Sequence, residues 1–258
     1  MESKRVDKLV ELYEKTSKHS NYQILPDDLK KYIPENRVHI KSRYEKERLD
    51  FIKANIDLKN CTFCDIGCNC GYFSLEFIKA GALKGDLYEG NTVHAEFVEE
   101  AANVLGIQNQ LTIYNRYFEF DEPEEKMKYD VCLLLNVLHH IGDDYGRVKT
   151  VEEAKIQITN ELKIMAMYTD KLVFQLGFNW MGDRNKGLFQ NGTKEEMILW
   201  LEAEIKDTWE IEKIGVAEKN EDIIVYKELN SQNIMRMDSL GEFLNRPIFI
   251  LKNKLNGR

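Results

Sequence analysis

Along residues 61–216 short apolar runs alternate with longer stretches whose apolar positions recur at helical spacing. The runs at 61–66, 85–89, 111–114, 129–138, 171–176 and 209–216 predict strands. Between them the spacing predicts helices over 72–80, 93–105, 151–167 and 194–205. Strands joined by helices of crossover length are the rhythm of βαβ units, which build a mainly parallel sheet covered on both faces. The run at 129–138 has almost no polar alternation, as a central strand buried on both faces requires. Residues 222–229 and 246–253 are also strand-like; one of them is expected antiparallel at the sheet edge. Segment 246–253 is the better candidate, because Pro247 suits a strand start or an edge. Ahead of the first strand come a helix over 6–15, a loop around Pro26 and Pro34, and an amphipathic helix over 43–56 with Tyr44, Leu49, Phe51, Ile52 and Ile56 on one side. The expectation is an α/β fold: a doubly wound, mainly parallel sheet of seven strands with an antiparallel edge strand. A helical extension or lid over 1–58 precedes a sheet domain over 59–258.

Composition narrows the class. With 258 residues, 43% hydrophobic, 31% charged and four Pro, the chain can bury a core large enough to offset the entropy of folding, which excludes disordered and collagen-like classes. It has no apolar stretch of the roughly 18–20 residues that span a bilayer, and charges stand where a signal peptide would need its apolar core, so a cytoplasmic protein without a membrane partner is expected. The formal charge of −8 is uneven: residues 1–60 carry +3 and residues 61–258 carry −11. A broad nucleic-acid surface is disfavoured, since it needs clustered cations. An anionic small molecule near the N-terminal segment is compatible with this balance, although charges that simply solvate helices are the plainer reading.

The most informative residues run from Cys64 to Phe73. A strand ends at Ile66, a loop with Gly67 and Gly71 follows, and an apolar helix starts near Tyr72. Glycines there let the backbone turn tightly and approach a ligand beyond the carboxyl ends of the strands. A dinucleotide fingerprint would need Gly at 67, 69 and 72, where this chain has Asn69 and Tyr72. The pattern Asp65-x-Gly67-x-Asn69-x-Gly71 instead resembles motif I of the class I S-adenosylmethionine-dependent methyltransferases, with Asn69 in place of the central glycine. Glu89 ends the second strand where an acid can bond ribose hydroxyls, and Asn136-Val137-Leu138-His139-His140 resembles motif IV, which flanks the methyl donor. The resemblance covers about residues 43–215 and implies a Rossmann-like sheet and S-adenosylmethionine as cofactor.

What the resemblance implies for each residue follows from that placement. Asp65 serves the amino-acid end of the cofactor, Gly67, Asn69 and Gly71 leave room for the backbone beside it, Glu89 binds the ribose and Asn136 lies beside the methyl donor. Asn115, Arg116 and Tyr117 follow the third strand, where the family places adenine contacts. Arg43 or Arg48 can pair with the cofactor carboxylate, or with an acid on their own helix. Methyl transfer from a sulfonium needs alignment above all, and a base only for acceptors such as alcohols. His139 and His140 are the candidate bases, their side chains pointing in opposite directions if the strand continues that far; Asp143, Asp144 and Tyr145 come next. No metal is expected, because ligand spacing around His140, Asp143 and Asp144 has no second cluster. Cys61, Cys64, Cys68 and Cys70 read as buried reduced thiols, Cys61 and Cys64 facing opposite sides of a strand. The loop 175–185 after the fifth strand offers Trp180 to stack on a planar acceptor, and Arg184 or Lys186 to meet an anion.

The reaction implied is O-methylation of a small or medium-sized metabolite, with the N-terminal helices and the loop after the fifth strand as its lid. The loop also resembles that of small bacterial methyltransferases, some of which act on activated sugars or surface-polysaccharide (capsule) precursors; a phosphorylated metabolite is a further candidate acceptor. Two alternatives compete: a tRNA-modifying methyltransferase of the same fold, which needs a basic surface beside the pocket, and a non-catalytic nucleotide-binding protein, which needs no acceptor cavity. The oligomeric state is not readable from the sequence.

Overall fold

The structure is a computed structural model that describes residues 2–15, 17–20, 22–123 and 129–255. Among these, eight α-helical segments and eight strands are distinguished, with four short 3-10 turns besides. The helices are α1 (Glu2–Glu14), α2 (Asp27–Lys30), α3 (Glu45–Asn55), α4 (Tyr72–Lys79), α5 (Thr92–Leu105), α6 (Val151–Met165), α7 (Lys194–Ile205) and α8 (Gly241–Leu244). The strands are β1 (Thr62–Ile66), β2 (Lys84–Tyr88), β3 (Leu111–Tyr114), β4 (Tyr129–Leu135), β5 (Thr169–Gln175), β6 (Trp209–Asn220), β7 (Ile223–Glu228) and β8 (Ile248–Asn253). No described helix is long and apolar enough to cross a membrane. The chain divides into two compact units, residues 1–49 with 56–118, and residues 50–55 with 119–258.

In the first unit β1, β2 and β3 run parallel in the order β3-β2-β1, joined through α4 and α5. The connecting helices start and stop where their sequences say they should. Asn91 caps α5, its side-chain oxygen accepting the N–H groups of Val93 and His94, and left-handed Gly106 closes the helix. The buried stripe Phe97, Val98, Ala101 and Ala102 recurs at helical spacing and turns that side of α5 inward. Residues 1–49 belong to the same unit, with α1 packed against α5; the Tyr13 and Phe97 rings lie 5.6 Å apart there.

In the second unit the order is β4-β5-β8-β6-β7. Strands β4 and β5 are parallel and joined by α6, whereas β8 pairs antiparallel with both β5 and β6, and β7 pairs antiparallel with β6. Two sequence expectations change here. The described residues form eight strands rather than seven, and 246–253 is an interior antiparallel strand, with the edge taken by β7. Pro247 stands immediately before the first residue of β8, so its missing N–H interrupts no ladder bond. Burial explains the exchange: five of the six β8 residues are buried, while β7 alternates exposed and buried from Ile223 to Tyr226 and ends exposed. Strand β4 is shorter than its apolar run, ending at Leu135 because Asn136 turns left-handed.

Buried polar side chains pin the layers of this unit together. The Trp209 indole N–H donates to the Leu162 carbonyl at 2.7 Å, and Asn253 Nδ2 donates to the Ala166 and Thr169 carbonyls at 2.6 and 2.9 Å. Asn253→Ala removes both donors from a buried place. It is expected to lower unfolding stability by about 1–3 kcal/mol, seen as a lower denaturation midpoint with unchanged slope.

Candidate functional site

The five residues after β1 reverse the chain and deliver it to α4. Gly67, Asn69 and Gly71 all have left-handed φ, at 72°, 53° and 73°. Glycine enters that region without cost, and asparagine is among the few L-residues that tolerate it, so Asn69 stands where the family pattern has its central glycine without changing the turn. Gly71 has a second requirement, since a Cβ there would lie 2.9 Å from a Val98 methyl on α5. The N–H groups of Gly67 and Cys68 both donate to the Tyr88 carbonyl, at 2.8 and 3.3 Å, and tie the loop to the end of β2.

Glu89 completes the tie. One carboxylate oxygen accepts the Asn69 N–H and the other the Asn91 N–H, both at 2.8 Å, so a single acid joins the loop after β1 to the start of α5. The Asn69 amide accepts the Cys70 N–H at 2.9 Å and donates to the His19 carbonyl at 3.1 Å, with His94 Nδ1 at 3.4 Å. Burial pushes His94 down to about 4, leaving a neutral ring beside the loop. The first N–H of α4, on Tyr72, donates to Gln23 Oε1 at 3.0 Å, and the Gln23 carbonyl accepts the Tyr13 hydroxyl at 2.6 Å. The N-terminal segment thus supplies partners to the middle of the loop and to the helix start that follows it.

Asp65 is 4% exposed and accepts the Ser74 hydroxyl at 2.6 Å. Burial first, with the Glu89 charge adding to it and the Ser74 bond opposing, pushes its carboxyl up to about 7. Asn115 bridges the Glu89 carbonyl and the Thr92 hydroxyl, each at 2.9 Å. Arg116 lies over the stacked rings of Tyr88 and Tyr114, and half-exposed Tyr117 occupies the space beside Gly90. Arg43 lies 4.7 Å over the Tyr22 ring, its backbone N–H bound to Glu45. Arg48 is buried, 3.4 Å from Glu45 and over the Phe73 ring at 5.0 Å; burial raises the Glu45 acid even so, with Arg48 opposing. All five cysteines are buried and none is in a disulfide, and burial raises the thiols of Cys68 and Cys70.

In the second unit the chain leaves β4 through Asn136, left-handed at φ 62°. Its amide donates to Gln175 Oε1 and accepts from Arg246 Nη1, both at 2.8 Å. Arg246 also meets both oxygens of Glu242, at 2.9 and 2.6 Å, while Gln175 Nε2 donates to the Arg246 carbonyl at 3.0 Å. The Phe178 N–H donates to Glu242 at 3.3 Å. Sequence reasoning named Gln175 only as the start of the loop 175–185 and missed Glu242 and Arg246; the signal within reach was the i, i+4 acid–arginine pair on the residues leading into β8.

The chain then forms a 3-10 turn over Leu138–His140 rather than continuing as a strand. The two imidazoles therefore lie side by side, 4.2 Å between centroids, not on opposite faces as strand geometry predicts. His139 is buried, its Nδ1 accepting the Gly177 N–H at 3.3 Å, and a Cβ at Gly177 would come within 2.7 Å of the ring. His140 keeps part of its side chain exposed, with Nδ1 3.5 Å from an Asp144 oxygen. The loop after β5 is a hairpin closed by Trp180 N–H to the Lys186 carbonyl and Leu188 N–H to the Phe178 carbonyl, both 2.8 Å. Trp180 is 5% exposed and its indole N–H donates to the Ile141 carbonyl at 2.6 Å, which ties this hairpin to the histidine turn; Lys186 lies over its ring. Arg184 is exposed near the hairpin tip. The first unit thus brings together Asp65, Gly67, Asn69, Gly71 and Glu89, and the second brings together Asn136, His139, His140 and Trp180.

No protein-family model matches this chain, and no curated protein matches it in sequence. Solved structures match in shape. A candidate RNA methyltransferase from Pyrococcus horikoshii aligns over 99% of this chain and 98% of its own, with 11% identity and a TM-score of 0.51. Magnesium protoporphyrin IX methyltransferase from Synechocystis PCC 6803, solved with bound S-adenosylmethionine, aligns over 95% and 89%, with 17% identity and a TM-score of 0.50. The protein WbdD gives a TM-score of 0.55 at 15% identity, over 96% of this chain but only 41% of its own length. The chain has the fold of the class I S-adenosylmethionine-dependent methyltransferases.

Proposed function

We propose that this chain is an S-adenosylmethionine-dependent methyltransferase that methylates an oxygen of a small or medium-sized metabolite. The observation that carries the reading is the left-handed loop 67–71 clasped to Glu89 at the ends of β1 and β2. Its residues fit the cofactor. A carboxylate offers about four lone-pair sites, so two backbone bonds at Glu89 are compatible with two ribose hydroxyls as well. Asp65 is a buried acid placed to meet a cationic amino group, and Arg43, from the segment that covers the loop, is the candidate for the cofactor carboxylate. When bound, the cofactor supplies an electrophilic methyl group on a good leaving group, so alignment of the acceptor contributes most of the acceleration.

In the second unit the candidates for acceptor chemistry are Asn136, His139, His140, Trp180 and Arg184. Asn136 is held in one orientation by Gln175 and Arg246, and its likeness to motif IV makes it the candidate to flank the methyl donor. His140 is the candidate base: it takes the acceptor hydroxyl proton on a ring nitrogen, and Asp144 stabilises the resulting cation. His139, buried against Gly177, supports the neighbouring ring. Trp180 anchors the hairpin that presents Arg184 to an anionic acceptor, and residues 1–58 act as the lid. Acceptors such as an activated sugar, a phosphorylated metabolite or a surface-polysaccharide precursor suit that charge. The protein is proposed to work in the cytoplasm, and the −11 charge of residues 61–258 argues against tRNA as acceptor.

S-adenosylmethionine or its demethylated product, at about a hundredfold Kd, is expected to raise the melting temperature by roughly 5–10 °C, and NAD to leave it unchanged. Glu89→Ala should abolish the shift; a wild-type protein that shows none overturns the cofactor assignment. A methyl-transfer screen over nucleotide-sugars, phosphorylated metabolites and bulk tRNA identifies the acceptor class, and labelled tRNA would sink the small-molecule reading. With the acceptor in hand, His140→Ala should slow turnover by roughly 10²–10⁴-fold while preserving the ligand-induced melting shift. Burial raises the Asp65 carboxyl from its ordinary 3.8 to about 7 in the folded state, so the folded protein binds more protons between those values. Its contribution to stability is therefore full below about pH 4 and lost as the pH rises to about 7. Asp65→Asn should flatten the fall in denaturation midpoint over that window, and an unchanged slope would remove Asp65 as its source.

A further inference from the structure

The turn carrying His139 and His140 is backed by two groups with no part in the reading above. Glu161, on α6, is 3% exposed, and its carboxylate accepts the Tyr145 hydroxyl at 3.0 Å and Gln157 Nε2 at 3.3 Å. Neither partner is a cation. A buried carboxylate without a cation costs several kcal/mol that a glutamine or leucine at the same place would not, so its presence asks for a role. Tyr145 lies just past the histidine turn. Its carbonyl accepts the Gly142 N–H at 2.6 Å, its ring packs beside Phe120 at 5.9 Å, and its hydroxyl stands 3.4 Å from the Leu138 carbonyl, the first residue of the turn.

A phenol has one hydrogen to give and two oxygens here to receive it. While Glu161 is ionised the hydrogen goes to the carboxylate. Once Glu161 is protonated, the acid can donate to the phenol oxygen and the phenol hydrogen is released to the Leu138 carbonyl. No atom leaves or enters apart from the proton taken up from solvent. We propose that Tyr145 and Glu161 are positioning residues for the double-histidine turn, sharing one hydroxyl hydrogen between the Leu138 carbonyl and α6 and so setting where His140 stands.

Burial, against both hydrogen bonds, pushes the Glu161 acid up to about 7, so both arrangements are populated near neutral pH. The same burial, together with the charges of Glu161 and Asp144, raises the phenol, which stays protonated throughout. Within this unit the titratable groups near the pair include His139 and His140 on the turn, Asp143 and Asp144 after it, and Glu161 itself on α6; His140 Nδ1 lies 3.5 Å from an Asp144 oxygen. The importance of the turn rests on the methyltransferase reading, whereas the coupling itself does not.

The test is a histidine-ring NMR titration of the full chain across roughly pH 5–9, for wild type, Glu161→Gln and Tyr145→Phe, each also melted with and without S-adenosylhomocysteine. Loss of a nearby negative charge in Glu161→Gln is expected to lower the His140 midpoint by about 0.3–1 unit. In Tyr145→Phe the His139 and His140 resonances should move at every pH. Exposed His39 should titrate identically in all three proteins and serves as the control. A purely structural role would lower the melting temperature and leave the His140 curve in place, so coincident His140 curves overturn the proposal. If Glu161→Gln fails to fold, Tyr145→Phe decides alone, because it keeps the ring and removes only one oxygen. A ligand-induced melting shift that is absent everywhere while His140 responds would refute the cofactor reading and leave the coupling standing; the opposite pattern does the reverse.

Discussion

Between the end of β1 and the start of α4 the backbone has only residues 67–71 in which to reverse, and it does so by turning left-handed at every second one. That constraint determines which side chains can stand there. Glycine fits all three positions, asparagine fits one where its amide can be used, and Gly71 is further restricted by Val98 of the neighbouring helix. With the loop held this way, its N–H groups reach the Tyr88 carbonyl and the Glu89 carboxylate, and the Tyr72 N–H is left for Gln23. Strand end, helix start and N-terminal segment are therefore organised around the same few peptide units.

Asn69 shows how a departure from a family pattern can be physically quiet and still add something. A glycine would make the same turn, but it has no amide with which to reach the His19 carbonyl. The chain gives up conformational freedom in the loop and gains a link to its own N-terminal segment. Asp65, Glu45 and Glu161 represent a different bargain. Each is a buried acid raised above its ordinary range, and each stands beside a turn or helix that the proposed chemistry uses.

Much of the architecture was legible because it rests on local patterns. The uninterrupted apolar run of β4, the crossover helices, and the glycine-asparagine-glycine spacing each have a direct cause in side-chain burial or backbone freedom. What escaped depended on partners distant in sequence. The place of 246–253 inside the antiparallel part follows from burial on both faces, which strand propensity does not encode. The end of β4 at Leu135 follows from a left-handed Asn136 whose amide is held by Gln175 and Arg246, and Arg246 is 110 residues away. The turn at His139 and His140 broke the alternation expected of a strand for the same reason. Trp180 reads as an aromatic on a loop, yet its indole N–H is committed to the Ile141 carbonyl and its ring is covered.

The interior position of β8 bears on how the second unit is made. Strand β6 is synthesised well before β8, yet it pairs with β8 on one side and β7 on the other, and β5 also meets β8. Until β8 arrives, β5 and β6 each carry an open edge of unpaired backbone groups, the kind of template on which strands from other chains add. The β6–β7 hairpin can form early, but it has no route to β5 without the last strand. Folding of this half of the molecule therefore closes on β8, and until that strand pairs with both neighbours the two edges stand as templates for association.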